Sequence, residues 1–228
     1  MLLAIDTATR LMSIALHDGR DLLAEQGWRT DNRHTTELAP AIPALLAHCD
    51  VVVSDLTALA VSVGPGSYTG VRIGVALAKG LAAANSLPLV GISTLDTLAA
   101  GQPFLQSGAG LVAVVQAGRG RIIVKTYRWR KGHWSSHIEP RLMAWDALIA
   151  SIDGPALITG EITAAGFEAL EDAKRREVPV AIAPAAFRMR RAGFLAEAAW
   201  AQLNENEGGI GAFDAARVVP VYIKSEKS

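Results

Sequence analysis

Apolar and polar positions divide the chain into two stretches that repeat one order of elements. Each stretch opens with three runs of strand length, and Asp18-Gly19 and Lys131-Gly132 are typical of the hairpin turns between such runs. Apolar runs bounded by turn residues predict β-strands. The predicted strands are 2–5, 11–16 and 21–28 in the first stretch and 111–115, 121–127 and 133–138 in the second.

Helical spacing of apolar residues follows each set of strands. Thr35 or Thr36 can cap a predicted helix over 35–47. The repeated order predicts two lobes, each a three-strand meander followed by α/β elements. The remaining predicted elements are helices at 145–151, 163–176 and about 189–203, a strand at 156–159 and an extended end at 218–223.

A glycine-rich turn links a buried strand to a helix with a small-residue face. The strand is predicted at 56–63, and Ser67 or Thr69 can cap the helix that follows. Gly70, Gly74 and Ala78 are four residues apart, so they share one helix face and predict close packing, in the core or at a subunit interface. The glycine spacing fits neither a P-loop nor a dinucleotide-binding fingerprint.

The same stretch carries no acidic residue. Between residues 56 and 95 the only charged side chains are Arg72 and Lys79. The helix dipole and Arg72 make the first turn of this helix electropositive. That charge suits an anion or an acidic partner.

Composition indicates a protein with a sizeable core and no overall attraction to nucleic acid. Of 228 residues, 50% are hydrophobic and 19% are charged, and the formal net charge is zero. Cys49 is the single cysteine, so neither an internal disulfide nor a cysteine-based metal site is expected. The early Asp6 interrupts any signal-peptide core, and no membrane span is predicted, so we expect a cytoplasmic protein.

Several motifs together resemble the TsaB family of bacterial proteins, formerly called YeaZ. The resemblance is densest from residue 56 to 99 and weak from 103 to 215. His34, Leu38, Pro40 and Leu45-Leu46 also match the family pattern. The motifs are MLLAIDTAT at the start, GPGSYTGVRIGVALAKGLA at 64–82, GISTLDTLA at 91–99 and PVYIK at 220–224.

The resemblance implies an α/β, two-lobed actin/hexokinase/Hsp70-like (ASKHA) fold, in which each lobe is a three-strand meander plus helices. The N-terminal lobe would be 1–101, completed by 189–228, and the C-terminal lobe would be 102–188. It also implies a non-catalytic partner that activates the TsaD transferase in N6-threonylcarbamoyladenosine modification of tRNA at position 37. TsaE would be a third member of the complex, and the protein alone would form a homodimer. The protein would contact tRNA mainly as part of the complex.

The resemblance further implies that TsaD, or a second copy of this chain, binds to the helix at 70–84 and to the neighbouring helix at 35–47. The implied interface residues are His34, Leu38, Gly70, Arg72, Ile73, Gly74, Leu77 and Ala78.

A nucleotide site is implied only in weakened form, at Asp6, Thr7 and Gly160. Ala8 follows where a glycine would let phosphate approach, and Gln116 stands where the second lobe would carry an aspartate. A glutamine lacks the anionic oxygen that Mg²⁺ prefers. We expect no catalytic residue, no required cofactor, weak ATP or ADP binding at most, and no metal.

Two other functions stay open at this point: an ATP-dependent small-molecule kinase of the same fold, and a homodimeric RNA-binding module. The second draws on residues 119–141, which carry seven Lys or Arg against Glu139 alone, with Trp129 and Trp134 between them. His133 and His137 lie in a predicted strand, about 13 Å apart, too far to share a metal. The chain is not predicted to be a peptidase, because it has no G-x-S-x-G motif and no nucleophile with an oriented base.

Overall fold

A computed structural model describes residues 1–31, 33–105, 108–206 and 210–223. The chain forms two compact units, one from Met1–Thr97 with Arg190–Val221 and the other from Leu98–Met189 with Tyr222–Ser228. Each unit is built on its own mixed β-sheet.

The first unit contains a five-stranded sheet in the order β3-β2-β1-β4-β5. Strands β1, β2 and β3 form an antiparallel meander, and β4 and β5 add in parallel on the other side of β1. The strands are β1 (Leu2–Asp6), β2 (Leu11–His17), β3 (Leu22–Arg29), β4 (Ala58–Ser62) and β5 (Leu89–Ile92).

Helices cover both faces of this sheet, which explains why β1 and β4 are continuous apolar runs. Leu3, Ile5 and Val61 pack against α1 (His34–His48) and α2 (Tyr68–Asn85) on one face. On the other face, small residues such as Ala4 and Ala60 pack against α6 (Ala192–Glu205). The short α3 (Thr94–Ala100) follows β5.

The second unit repeats this topology. Its main path is β11-β10-β6-β7-β8, where β6, β7 and β8 form the antiparallel meander and β10 and β11 are parallel to β6. One further strand, β9, also pairs with β7. The elements are β6 (Gly110–Gln116), β7 (Ile122–Arg130), β8 (His133–Ser135), β9 (Arg141–Met143), α4 (Trp145–Ala150), β10 (Ala156–Gly160), α5 (Ala164–Arg175) and β11 (Val180–Ile182).

The predicted order of a three-strand meander followed by α/β elements is therefore confirmed in both units. Three details differ from the predictions. Helix α1 begins at His34, and neither Thr35 nor Thr36 caps it. The strand predicted over 133–138 ends at Ser135, because residues 136–138 form a turn closed by Ser136 Oγ. The sequence also did not single out β5, α3, β9 or β11.

Some predicted features lie outside the described residues. They are residues 224–228, which end the segment assigned to the N-terminal lobe and include Lys224 of the closing motif. Among the helices of the described ranges, none is long and apolar enough to cross a membrane.

Candidate functional site

The turn after β1 holds a buried ion pair. Asp6 ends β1 and is fully buried, and Arg190, which lies just before α6, is 3% exposed. Arg190 Nε donates to Asp6 Oδ2 at 2.9 Å, and the backbone N–H of Ala8 donates to Asp6 Oδ1 at 2.8 Å. Both carboxylate oxygens of Asp6 are therefore engaged within the chain.

The other residues of this turn are held as closely. Thr7 Oγ1 donates to the carbonyl of Gly70 at 2.7 Å, and Arg190 Nη2 donates to Thr9 Oγ1 at 2.6 Å. His34 Nε2 lies 2.9 Å from the carbonyl oxygen of Thr9, which accepts its hydrogen bond. Asp6, Thr7 and Thr9 are all buried, so the turn is enclosed by the protein's own groups.

This enclosure bears on the implied nucleotide residues. Asp6 and Thr7 are both 0% exposed and are bonded within the chain in this conformation, and their implied role in weak nucleotide binding stays a prediction. The guanidinium of Arg190 supplies the positive charge beside Asp6 that a metal ion would otherwise supply. A buried carboxylate needs such a partner.

Gly160, the third implied nucleotide residue, lies in the second unit and has a packing role there. It ends β10 with a φ of +104° and is buried, and a Cβ at this position would overlap the carbonyl oxygen of Val114 on β6. Glycine is required here by both the backbone angle and the close approach. Gln116, at the end of β6, is exposed, and its backbone N–H donates to Glu161 Oε2 at 3.0 Å.

The small-residue face of α2 is part of the core of the first unit. A Cβ on Gly70 would overlap the carbonyl oxygen of Thr7, and one on Gly74 would overlap Thr7 Oγ1. Ala78 is fully buried in the same cluster. These three residues let α2 lie directly on the turn after β1, so this face packs in the core, one of the two places that the spacing allowed, and its implied role at an interface stays a prediction.

Two more of the implied interface residues are buried. His34 is 4% exposed and bonded to Thr9, and Leu38 is 1% exposed in the core. In this conformation they support the first unit from inside, and their implied interface role stays a prediction.

The outer face of α2 carries the remaining implied residues. Arg72 is exposed, and its guanidinium carbon lies 3.8 Å from the ring centroid of Tyr68, which is 55% exposed. Ile73 and Leu77 are half-buried beside them, against the core. Ser67 caps this helix by accepting from the N–H of Gly70 at 3.2 Å, as the sequence predicted. The helix thus presents an aromatic, basic and aliphatic surface without acidic residues.

The basic hairpin of the second unit keeps its aromatic residues on one side. Trp129 and Trp134 face each other across β7 and β8 with ring centroids 5.3 Å apart, and Trp134 is buried with its Nε1 donating to the carbonyl of Gln102. Arg128 and Arg130 alternate with Trp129 and therefore lie on the opposite side. Trp134 is consequently not available to stack on bases.

The histidines do not form a metal site. His133 lies in β8 and His137 in the turn that follows, and both are exposed. Within the described ranges, no three or more His, Cys, Asp or Glu side chains come together as they would around a metal ion.

Arg190 is the important residue that sequence reasoning missed. It belongs to the basic run Arg188-Met189-Arg190-Arg191, which reads as a surface segment before a helix. The one available signal was Asp6, since a carboxylate at the end of a buried strand needs a cationic partner. The sequence does not indicate which of the arginines supplies it.

Two units with the same meander-plus-helices topology define the actin/hexokinase/Hsp70-like class of fold predicted above. The structure is similar to the solved YeaZ from Pseudomonas aeruginosa, with a TM-score of 0.75 and 26% identity over 97% of this chain and 99% of that one. A family model described as TsaD, tRNA N6-adenosine threonylcarbamoyltransferase, matches residues 29–171.

Curated relatives agree with that match. The TsaB protein of Bacillus subtilis is 35% identical over 75% of each chain, and that of Escherichia coli is 37% identical over 58% of each chain. Both are named tRNA threonylcarbamoyladenosine biosynthesis proteins. The chain belongs to this TsaB (YeaZ) family.

Proposed function

We propose that this protein is a non-catalytic partner that activates a TsaD-type transferase in threonylcarbamoyladenosine modification of tRNA. Membership of the TsaB family and the match to a model named for the transferase support the pathway. The observation that carries the partner role is the exposed, acid-free face of α2, where Tyr68 and Arg72 are stacked on each other.

The state of the turn after β1 supports a non-catalytic role. Asp6 is buried and neutralised by Arg190, and Thr7 is bonded to α2. In the second unit, the equivalent strand end carries Gln116 rather than a carboxylate. Asp6 is closed off by Arg190, and the carboxylate beside the second strand end, that of Glu161, accepts from the backbone N–H of Gln116. Neither strand itself ends in an accessible aspartate for a metal–phosphate group, which favours the partner role over the small-molecule kinase alternative. A thermal-stability gain with Mg-ATP would favour that alternative.

The chemistry of the α2 face supports association with an acidic, partly apolar surface. Tyr and Arg are enriched among residues that dominate binding energy, because they combine buried area with directional polar contacts. Arg72 would meet a carboxylate, and Ile73 and Leu77 would extend the apolar contact. A second copy of this chain would use the same face in the homodimer, so TsaD binding and self-association would compete.

The proposal includes two further partners, TsaE and tRNA. TsaE would join the TsaB–TsaD pair, and tRNA would be bound mainly by the complex. We expect the protein to act in the cytoplasm, where tRNA is modified.

Light scattering of mixtures with the cognate TsaD tests the proposed interface. Arg72→Glu should abolish a one-to-one complex while leaving the melting temperature unchanged. Arg175→Glu is the matched control, because Arg175 is an exposed arginine on α5 of the other unit. Undiminished association of Arg72→Glu with TsaD would contradict the α2 interface, and equal loss with both variants would indicate a general charge effect instead.

A further inference from the structure

A cleft in the second unit brings three arginines to the edge where β6 and β10 begin. Its volume is about 400 Å³, within the range of about 300–1,000 Å³ that small-ligand sites occupy. Arg128, Arg130 and Arg141 all line it, together with His137. Asp153 is the single acidic residue among the lining side chains.

The sheet register places the three arginines on one face. Arg128 and Arg130 are two residues apart on β7, and Arg141 on β9 lies opposite Val124 of β7. Even-numbered residues of β7 share a face, so all three guanidinium groups extend from the same side of the sheet. Val124 belongs to the core under α4. Arg128 and Arg130 lie where β7 continues past that core, and Arg141 lies beside it on β9.

Gly110 makes room for one of these groups. A Cβ on Gly110 would lie 2.6 Å from Nη1 of Arg128, so the guanidinium rests directly over the glycine backbone at the start of β6. A larger residue would require the end of the Arg128 side chain to shift. The absence of a side chain at Gly110 thus leaves room for the guanidinium beside the start of β6.

The charges in the cleft are not balanced from within. Among the residues that the structure describes, none of the three arginines forms an ion pair with a carboxylate. The rest of the lining combines apolar side chains, such as Leu148 and Ile152, with the hydroxyl groups of residues such as Ser135 and Ser136. A ligand for this cleft would carry a multiply charged anionic group and an apolar or planar body.

We propose that this cleft binds a nucleotide phosphate. Guanidinium groups form forked hydrogen bonds with phosphate oxygens, and a volume of this size accepts one nucleotide. The phosphate could belong to a free nucleotide or to one unit of an RNA strand, and the chemistry is the same in both. The inference goes beyond the α2 interface, which lies in the other unit, so either can fail without the other.

Calorimetric titration of the full chain with AMP, and separately with a short single-stranded RNA, tests whether this site binds phosphate. It also distinguishes a free nucleotide from an RNA strand as the source of that phosphate. Arg128→Ala and Arg141→Ala should each weaken binding by about tenfold, because each removes a charge-assisted contact. Arg175→Ala is the control, since Arg175 is an exposed arginine of the same unit that does not line the cleft. AMP binding would assign a free nucleotide, and binding of RNA alone would assign a strand.

A second variant tests the cleft without altering charge. Ser151→Trp should fill the cleft from the end of α4 and block binding, while circular dichroism and melting temperature remain those of the parent. The proposal is overturned if neither probe binds, if Arg128→Ala and Arg141→Ala bind as the parent does, or if a polyglutamate peptide binds more tightly than AMP and RNA.

Discussion

Arg190 donates to Asp6 across 184 positions of the chain, with a separation of 2.9 Å between Nε and Oδ2. Their side chains are 2% and 0% exposed. The pair joins the residue before the last helix of the first unit to the end of its first strand. A second hydrogen bond from Arg190 Nη2 to the carbonyl of Leu11 fixes the start of β2 as well.

Removing Arg190 should destabilise the first unit strongly. Arg190→Ala leaves a buried carboxylate without its cation, and breaking a buried pair in this way costs about 3–5 kcal/mol. Urea denaturation would measure the loss. Arg191→Ala is the control. The Arg191 side chain pairs with Glu25 but is half exposed, and such a pair contributes at most about 1 kcal/mol. Equal losses for the two variants would show that burial of the Asp6 pair has no special role.

The Asp6 pair also changes the expectation for Asp6 itself. As a remnant of a nucleotide site, Asp6 could be replaced by alanine with little effect on TsaD support. In the structure, Asp6→Ala removes the carboxylate to which the buried Arg190 donates, so a stability loss similar to that of Arg190→Ala is expected. Loss of TsaD support in this variant is therefore informative only when the protein is still folded at the assay temperature.

Gly74 and Gly80 of α2 should respond in opposite directions to the same substitution. Gly74→Ala places a methyl group against Thr7 Oγ1 and should cost about 1–3 kcal/mol through overpacking. Gly80 is exposed, and a Cβ there would meet nothing within 4 Å. Gly80→Ala should stabilise the protein by about 0.5–1 kcal/mol, because glycine is unfavourable inside a helix. Chemical denaturation of both variants provides the comparison. A neutral Gly74→Ala would contradict the close contact between α2 and the turn after β1.

Glu37 gives the first unit a dependence on acid pH. The hydrogen bond from Trp28 Nε1 at 2.9 Å, followed by one from Thr30, lowers the pKa of Glu37 below its ordinary value of 4.5. Because the unfolded state then binds the proton more readily, this stabilisation is present above the ordinary value and is lost as the pH falls through the lowered pKa. An NMR titration of the carboxyl group would locate the transition.

Glu37→Gln separates this effect from general acid unfolding. The amide oxygen still accepts from Trp28, so the variant should retain the contact but lose that part of the pH dependence. An unchanged stability profile in acid would show that Glu37 does not contribute.

The repeated topology could be predicted because it depends on local patterns. Runs such as Leu2–Asp6 and Gly110–Gln116, each ending in a polar residue before a turn, carry the strand signal in their own composition. Ser67 as a cap followed from its place before the helix. Short strands such as β9 and β11 have three residues each and no periodic signal of their own.

The role of the small-residue face could not be decided from spacing. Gly70 and Gly74 indicate a close neighbour, but packing in the protein core and packing at a subunit interface require the same small side chains. Only the position of Thr7 identifies the neighbour as the chain's own turn. Arg190 was missed for a related reason, because its partner lies in a part of the sequence that is distant from it.

The most direct test of the proposed function is threonylcarbamoylation of tRNA in a reaction reconstituted from purified proteins. Cognate TsaD and TsaE, the threonylcarbamoyl donor and unmodified tRNA would be incubated with and without this protein. We predict that modified adenosine forms only when this protein is present, and that Arg72→Glu reduces product while Arg175→Glu does not. Modification by TsaD and TsaE alone, at the same rate, would contradict the account.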